Sequence, residues 1–222
     1  MSAIRLEVLP DAGIAALAAA DAIADRAREA VAERGVFTLA LSGGTAPLHA
    51  FRLLTDAEVA WEQVEIFQVD ERVAPPGDED RNLTHLERSL PPEAFARVRP
   101  MPVEADGLDA AAAEYAALLP EPIDLVHLGL GPDGHTASLV PNDPVLDITD
   151  RDVAVTGEYQ SRRRMTLTYP KIDRSRELLW LVTGEAKREP LRLLLAGDPS
   201  IPAGRVRVAG SLVIADRAAA GT

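Results

Sequence analysis

A histidine closes the glycine-dense run Gly129-Leu130-Gly131-Pro132-Asp133-Gly134-His135, which follows the apolar stretch Ile123 to Leu128. Glycine permits positive φ and close approach of backbone to a ligand, and imidazole is the side chain suited to moving protons near neutral pH. A buried strand feeding such a loop is the arrangement expected of a catalytic loop with His135 as its proton-transfer group. The same glycines satisfy G-x-G-x-x-G, which would suit a dinucleotide with Asp147 or Asp150 on the ribose. Pro132 removes a backbone donor from that turn, and no obvious helix follows Gly134, so the dinucleotide reading is set aside. His49, His85 and His127 stand in ordinary surroundings and are read as structural.

Three other groups of residues have chemical potential. Leu41-Ser42-Gly43-Gly44-Thr45-Ala46-Pro47 sits where a strand hands over to a helix. Its glycines can turn N–H groups outward, Ser42 and Thr45 add hydroxyls, and Pro47 fits a first helical turn. Together they suit an anion at a helix N-terminus, though a plain turn with a Thr cap fits the same residues. Asp70-Glu71-Arg72 follows another strand, at the end where ligands bind in open α/β sheets; a surface ion-pair cluster is the alternative. Arg162-Arg163-Arg164 precedes a strand, with Arg162 and Arg164 on one face by alternation, and Lys187 opens a helix after Thr183-Gly184. Arg forks and Lys ammoniums are the usual phosphate partners. A solvated charge run is the default reading of the arginines; set opposite Ser42 to Thr45 in an acidic chain, the cations suggest a phosphate pocket.

The elements that must hold these residues alternate along the whole chain. Strands are expected at Ile4–Val8, Val36–Leu41, Val64–Val69, Val98–Met101, Ile123–Leu128, Val153–Val155, Met165–Thr168, Leu178–Val182 and Leu212–Ala215, the last of them closing the sheet. Helices are expected from the cap Asp11 to the stop Gly35, with Ile14, Leu17, Ala20, Ala24, Ala27 and Val31 on one face, and then at Ala46–Leu54, Asn82–Leu90, Leu108–Leu119 and Ala186–Leu195. The polar loop Ala74–Asp80 reads as an active-site loop. This alternation predicts an open, mostly parallel α/β sheet with helices on both faces.

Two hundred and twenty-two residues of ordinary globular composition suit one domain, residues 1–222. The net charge of −12 disfavours a nucleic-acid or anionic-membrane partner. The chain has no cysteine and its first ten residues do not read as a signal peptide, which together fit a cytoplasmic protein. No H-E-x-x-H or comparable ligand spacing predicts a metal site, and no G-x-S-x-G elbow predicts serine acyl transfer. No cofactor is expected.

Taken in order, Leu41 to Pro47, Asp70-Glu71-Arg72, Gly129 to Pro141, Arg164-Met165-Thr166-Leu167-Thr168 and Thr183-Gly184-Glu185-Ala186-Lys187 resemble the 6-phosphogluconolactonase family, relatives of the glucosamine-6-phosphate deaminases. The resemblance covers essentially the whole chain and implies a Rossmann-like sheet. Deaminases usually carry Asp-Glu-Tyr where this chain has Asp70-Glu71-Arg72. They also place a Glu, which supports the catalytic His, where this chain has Val140. Both differences favour the lactonase. The implied substrate is 6-phospho-D-glucono-1,5-lactone, a small sugar-phosphate lactone, hydrolysed without a cofactor. Alternatives are an amino-sugar-phosphate deaminase or a non-catalytic sugar-phosphate binding module. The resemblance implies that Ser42, Gly43, Gly44, Thr45, Arg164 and Lys187 hold the phosphate, and that Asn82, Gly131, Asp133 and Gly134 touch the substrate. It further implies that His135 moves protons, that Arg72 stabilises the oxyanion, and that Asp70 orients either the sugar hydroxyls or His135. Arg81 stands where the family usually carries Ser and would add positive charge.

Overall fold

The computed structural model describes residues 4–207 and 210–222, the side chains of Thr45 and Ala46 excepted. In chain order the elements are β1 (Arg5–Leu9), α1 (Ala12–Arg34), β2 (Phe37–Leu41), α2 (Thr45–Leu53), β3 (Val64–Gln68), β4 (Asp70–Arg72), α3 (Asn82–Glu87), α4 (Pro92–Phe95) and β5 (Val98–Arg99). They continue with α5 (Leu108–Leu118), β6 (Leu125–Leu128), β7 (Val153–Val155), β8 (Arg164–Leu167), α6 (Tyr169–Asp173), β9 (Glu177–Val182), α7 (Arg188–Ala196), β10 (Leu212–Asp216) and α8 (Arg217–Ala220).

Seven strands form one parallel sheet in the order β1-β10-β9-β6-β2-β3-β5. Its central strands are buried on both faces, and the period of two sorts their side chains between two cores. Phe37, Leu39 and Leu41 of β2 pack with Ile66 of β3, Leu179 and Leu181 of β9 and the inward face of α1. Ala40, Phe67, Val126, Leu128, Trp180 and Val182 point to the opposite face, beneath α5 and α7. The open parallel sheet with helices on both faces is therefore as expected.

Helix α1 begins where Asp11 accepts a hydrogen bond from Ile14 N (2.9 Å) and ends at Gly35, whose φ of 77° suits a residue without Cβ. Ala20, Ala24 and Ala27 face inward as expected. Ile14 and Leu17 do not: they are exposed, Val31 is half-buried, and Ala15, Ala16, Ala19, Ile23 and Ala30 complete the inward face. Small side chains let the helix axis lie close against β2, β9 and β10, which the two larger residues would prevent.

Two strand expectations also change. Leu212–Asp216 does not close the sheet: β10 lies between β1 and β9, and the exposed strand β1 takes the edge. Strands β7 and β8 leave the main sheet and form a small antiparallel one with β4, in the order β4-β8-β7. Hairpin partners β7 and β8 need only each other and β4 to satisfy their backbones, so nothing forces them into the parallel sheet. None of the described helices is long and apolar enough to cross a membrane.

Candidate active site

From β2 the chain steps one way, to β3 and β5, and then returns to place β6 on the other side of β2. A reversal of this kind leaves a crevice beyond the carboxyl ends of β2 and β6, the usual ligand position in an open α/β sheet. A cleft of ≈ 310 Å³ lies there. Ser42, Gly43 and Gly44 reach it from β2, Gly131 and His135 from the loop after β6, and Lys187 from beyond β9. The small antiparallel sheet supplies the opposite wall: Asp70 and Arg72 from β4, Arg164 from β8, with Asn82 from the head of α3.

Close approaches explain two of the glycines. A Cβ on Gly43 would lie 1.9 Å from Asn82 Oδ1, and one on Gly131 would lie 2.1 Å from His135 Nδ1. Gly131 N donates to the His135 carbonyl (2.8 Å), so the loop folds back on itself and projects the imidazole into the cleft. Behind the ring, Nδ1 lies 2.5 Å from Asp133 Oδ1, and Tyr159 donates to Asp133 Oδ2 (2.8 Å). Burial works to raise the Asp133 carboxyl; the His135 charge and the bonds from His135 and Tyr159 outweigh it and hold the group below the usual aspartate range. In the neutral ring, an Nδ1–H facing the carboxylate leaves the lone pair on Nε2.

Asp70 is not the partner of His135. Its carboxylate accepts from Ser138 Oγ (2.6 Å) and Asn82 Nδ2 (3.1 Å), and Asn82 Oδ1 in turn accepts from Arg72 Nη1 (2.8 Å). Glu71 turns away from the cleft. Fully buried, it accepts from the backbone N–H groups of Arg72, Asn82 and Leu83 and faces Arg81 Nε at 3.1 Å. Arg81 therefore adds no charge to the cleft, because Glu71, Glu104 and the Ala74 carbonyl hold its buried guanidinium.

Arg72 and Arg164 stand directly opposite each other across β4 and β8. Like charges so placed repel; burial first, then the Arg72 charge, lowers the Arg164 pKa. Lys187 is also lowered by burial, against the pull of Asp133. The cleft thus gathers three cations inside a chain of net charge −12, and an anion bound among them would relieve their repulsion. Arg162 does not share that face: it lies in the turn before β8 and pairs with Asp78 and Asp80 of the Pro- and Asp-rich loop, while Arg163 is exposed. Lys187 ends a short 3₁₀ turn ahead of α7 instead of opening the helix.

Gly134 and Asp133 are not among the residues that line the cleft. Gly134, at φ 81°, backs onto Ile201, and Asp133 stands behind His135. The Thr45 side chain lies outside the described residues. Asp147 and Asp150 are exposed beside Arg205 and Arg151, and a turn, not a helix, follows Gly134, so the dinucleotide arrangement is not formed. Among the described residues, no group of three or more His, Asp or Glu side chains could hold a metal ion. Tyr159 and Ser138 were not singled out from the sequence. Ser138 lies within a quoted motif; nothing local marks Tyr159.

Residues 10–214 match the family described as glucosamine-6-phosphate isomerases/6-phosphogluconolactonase. The chain belongs to this family. A 6-phosphogluconolactonase of Mesorhizobium japonicum is 38% identical over 208 residues, covering 87% of this chain and 86% of that protein. One of Mycobacterium tuberculosis is 37% identical, with 97% and 96% covered. The crystal structure of a 6-phosphogluconolactonase from Shewanella baltica superposes with a TM-score of 0.86 at 27% identity, over 96% of this chain and 97% of that one. Within the lactonase/isomerase family the fold is shared more widely: a monomeric glucosamine-6-phosphate deaminase superposes with a TM-score of 0.82 at 21% identity.

Proposed function

We propose that the protein is a 6-phosphogluconolactonase, an ester hydrolase that converts 6-phospho-D-glucono-1,5-lactone to 6-phospho-D-gluconate in the oxidative pentose phosphate pathway. The observation that carries this reading is the Asp133–His135 pair opening onto the same cleft as the Ser42–Gly44 turn, Arg164 and Lys187. Proton-transfer chemistry and the groups of an anion site then open onto one cleft.

The Ser42–Gly44 turn, Arg164 and Lys187 hold the phosphate, with Thr45 beside them at the head of α2. His135 Nε2 takes a proton from water as the oxygen attacks C1, and the carbonyl electrons move to its oxygen. Arg72, fixed by Asn82 and the Asp80 carbonyl (2.8 Å each), faces that oxyanion. Collapse of the tetrahedral species breaks the bond from C1 to the ring oxygen, which receives the proton from His135. Asp133 steadies the transient imidazolium. General acid–base help of this kind contributes about 10²–10⁴-fold. Asp70, with Asn82, presents the polar edge that meets the sugar hydroxyls. Residues 1–222 act as one domain in this reading, since the main sheet carries both cores and shares the cleft with the small antiparallel sheet.

A deaminase is the weaker reading. Val140 occupies the position of the deaminase Glu and is buried in the core, so no carboxylate reaches His135 from there. The test is hydrolysis of freshly generated 6-phosphogluconolactone against the spontaneous rate, with unphosphorylated gluconolactone as control. Acceleration confined to the phosphorylated lactone is expected. No acceleration, or ammonia release from an amino-sugar phosphate, would overturn the assignment.

A further inference from the structure

Tyr159 belongs to no motif and takes no part in the steps above. It lies near the tip of the hairpin that joins β7 to β8, where its backbone pairs with Arg162. Between them Gln160 and Ser161 hold φ values of 51° and 63°. Residues with a Cβ adopt such values only where their surroundings require it. The surroundings here are specific: Gln160 Oε1 accepts from Arg164 Nη2 (3.1 Å), and Arg162 is tied to Asp78 and Asp80.

From this tip one side chain reaches His135 and Arg164 of the cleft, and Asp133 behind the histidine. Its hydroxyl donates to Asp133 Oδ2 at 2.8 Å, its ring meets His135 edge-on with centroids 5.6 Å apart, and the Arg164 guanidinium lies 5.0 Å above the ring centre. Asp133 Oδ1 is the atom that holds His135 Nδ1. A carboxylate bound through one oxygen turns easily about its broad terminal torsion; bound through both, it holds the imidazole in one plane. The ring packs against the face of the Arg164 guanidinium, and the N–H groups that Gln160 does not hold are left for an anion.

We propose that Tyr159 is a positioning residue that locks the Asp133 carboxylate, and through it the His135 ring, in fixed register with the arginine that receives the anionic end of the substrate. The proposal rests on the lactonase reading for its kinetic consequence and on geometry alone for its effect on the Asp133–His135 pair.

A charge effect accompanies the positional one. The hydroxyl shares the negative charge of Asp133 and helps to hold that carboxyl below the usual aspartate range, so removing it lets the carboxyl rise. The other charged groups facing the pair are Arg164 of β8, Lys187 beyond β9, and Asp70 and Arg72 of β4 across the cleft. A Phe at 159 leaves all of these in place.

The experiment compares wild type, Tyr159→Phe and Tyr159→Leu, by lactone hydrolysis and by NMR titration of the Asp133 carboxyl without substrate. For Tyr159→Phe, kcat is expected to fall about tenfold, the loss of one hydrogen bond to a charged group, with KM unchanged. The Asp133 carboxyl, which the Tyr159 hydroxyl helps to hold low, should titrate at higher pH. Tyr159→Leu also loses the cation–π contact, so its KM should rise about two- to fivefold. A Phe variant with wild-type kcat, or with an unmoved carboxyl titration, overturns the proposal. An inert wild-type protein would instead refute the lactonase reading, and the carboxyl titration would still decide the role of Tyr159.

Discussion

Replacing Asp133 with Asn removes a charge while nearly preserving shape. The carboxylate lies 2.5 Å from His135 Nδ1, and the two side chains are 35% and 22% exposed. When His135 takes the proton from water, its ring becomes cationic against this carboxylate. Two unit charges about 4 Å apart attract by about 4 kcal/mol at an effective dielectric near 20. Partial exposure brings the figure toward about 3 kcal/mol, and each 1.36 kcal/mol is roughly tenfold in rate. The expected loss is therefore about 10²–10³ in kcat. An amide N–H facing Nδ1 would also reverse the ring tautomer and remove the lone pair from Nε2, a change in the same direction. Because the charge develops only in the transition state, KM should change by less than about threefold. Hydrolysis followed by proton release at constant pH, with the spontaneous rate subtracted, measures both constants. Thermal stability should move by no more than about 1 kcal/mol, as for a partly exposed pair. A folded Asp133→Asn protein with kcat within about fivefold of wild type would refute the argument, since carboxylate support would then contribute almost nothing.

Arg164→Ala and Lys187→Ala should act mainly on KM, because the phosphate is held in every state of the reaction; a kcat loss at unchanged KM in steady-state kinetics would contradict their placement. Gly131→Ala forces a Cβ to 2.1 Å from His135 Nδ1, so activity should drop about 100-fold or more while circular dichroism stays native. Arg81→Leu strands the fully buried Glu71 without its cation and should cost about 3–5 kcal/mol in urea unfolding. Burial pushes the His127 imidazole down to about 4, below its ordinary 6.5. The unfolded chain therefore binds this proton first: stability from this residue is complete above about pH 6.5 and is lost as pH falls toward 4, by about 3 kcal/mol at most. Urea midpoints at the two ends of that range should differ less in a folded His127→Gln variant.

Much of the fold was legible because its signals are local. Asp11 and Gly35 bracket α1 through contacts within four residues, and the apolar runs at 37–41, 64–68 and 125–128 are buried on both faces because a parallel sheet covers them on both sides. The residues lining the cleft were legible for a related reason: glycines, a histidine and cations at strand ends can be read wherever strands can be read. Sequence misleads where periodicity has no phase reference. The helical period of α1 fits either face, and only packing against the sheet selects the alanines over Ile14 and Leu17.

The order and type of the main elements, the turns that require glycine, and the set of residues able to do chemistry are written in local sequence, since all of these depend on neighbours a few positions apart. Tertiary structure decided how those residues are paired. Asp133, not Asp70, stands behind His135; Glu71 turns inward to bind Arg81; Arg162 goes to the aspartates of the 74–80 loop and Arg164 to the cleft. Tyr159 meets Asp133 across 26 positions of chain, through a hairpin that left the main sheet. A carboxylate accepts equally well from many donors, so its partner is fixed by which strand ends the topology brings within 3 Å, and no local pattern encodes that distance.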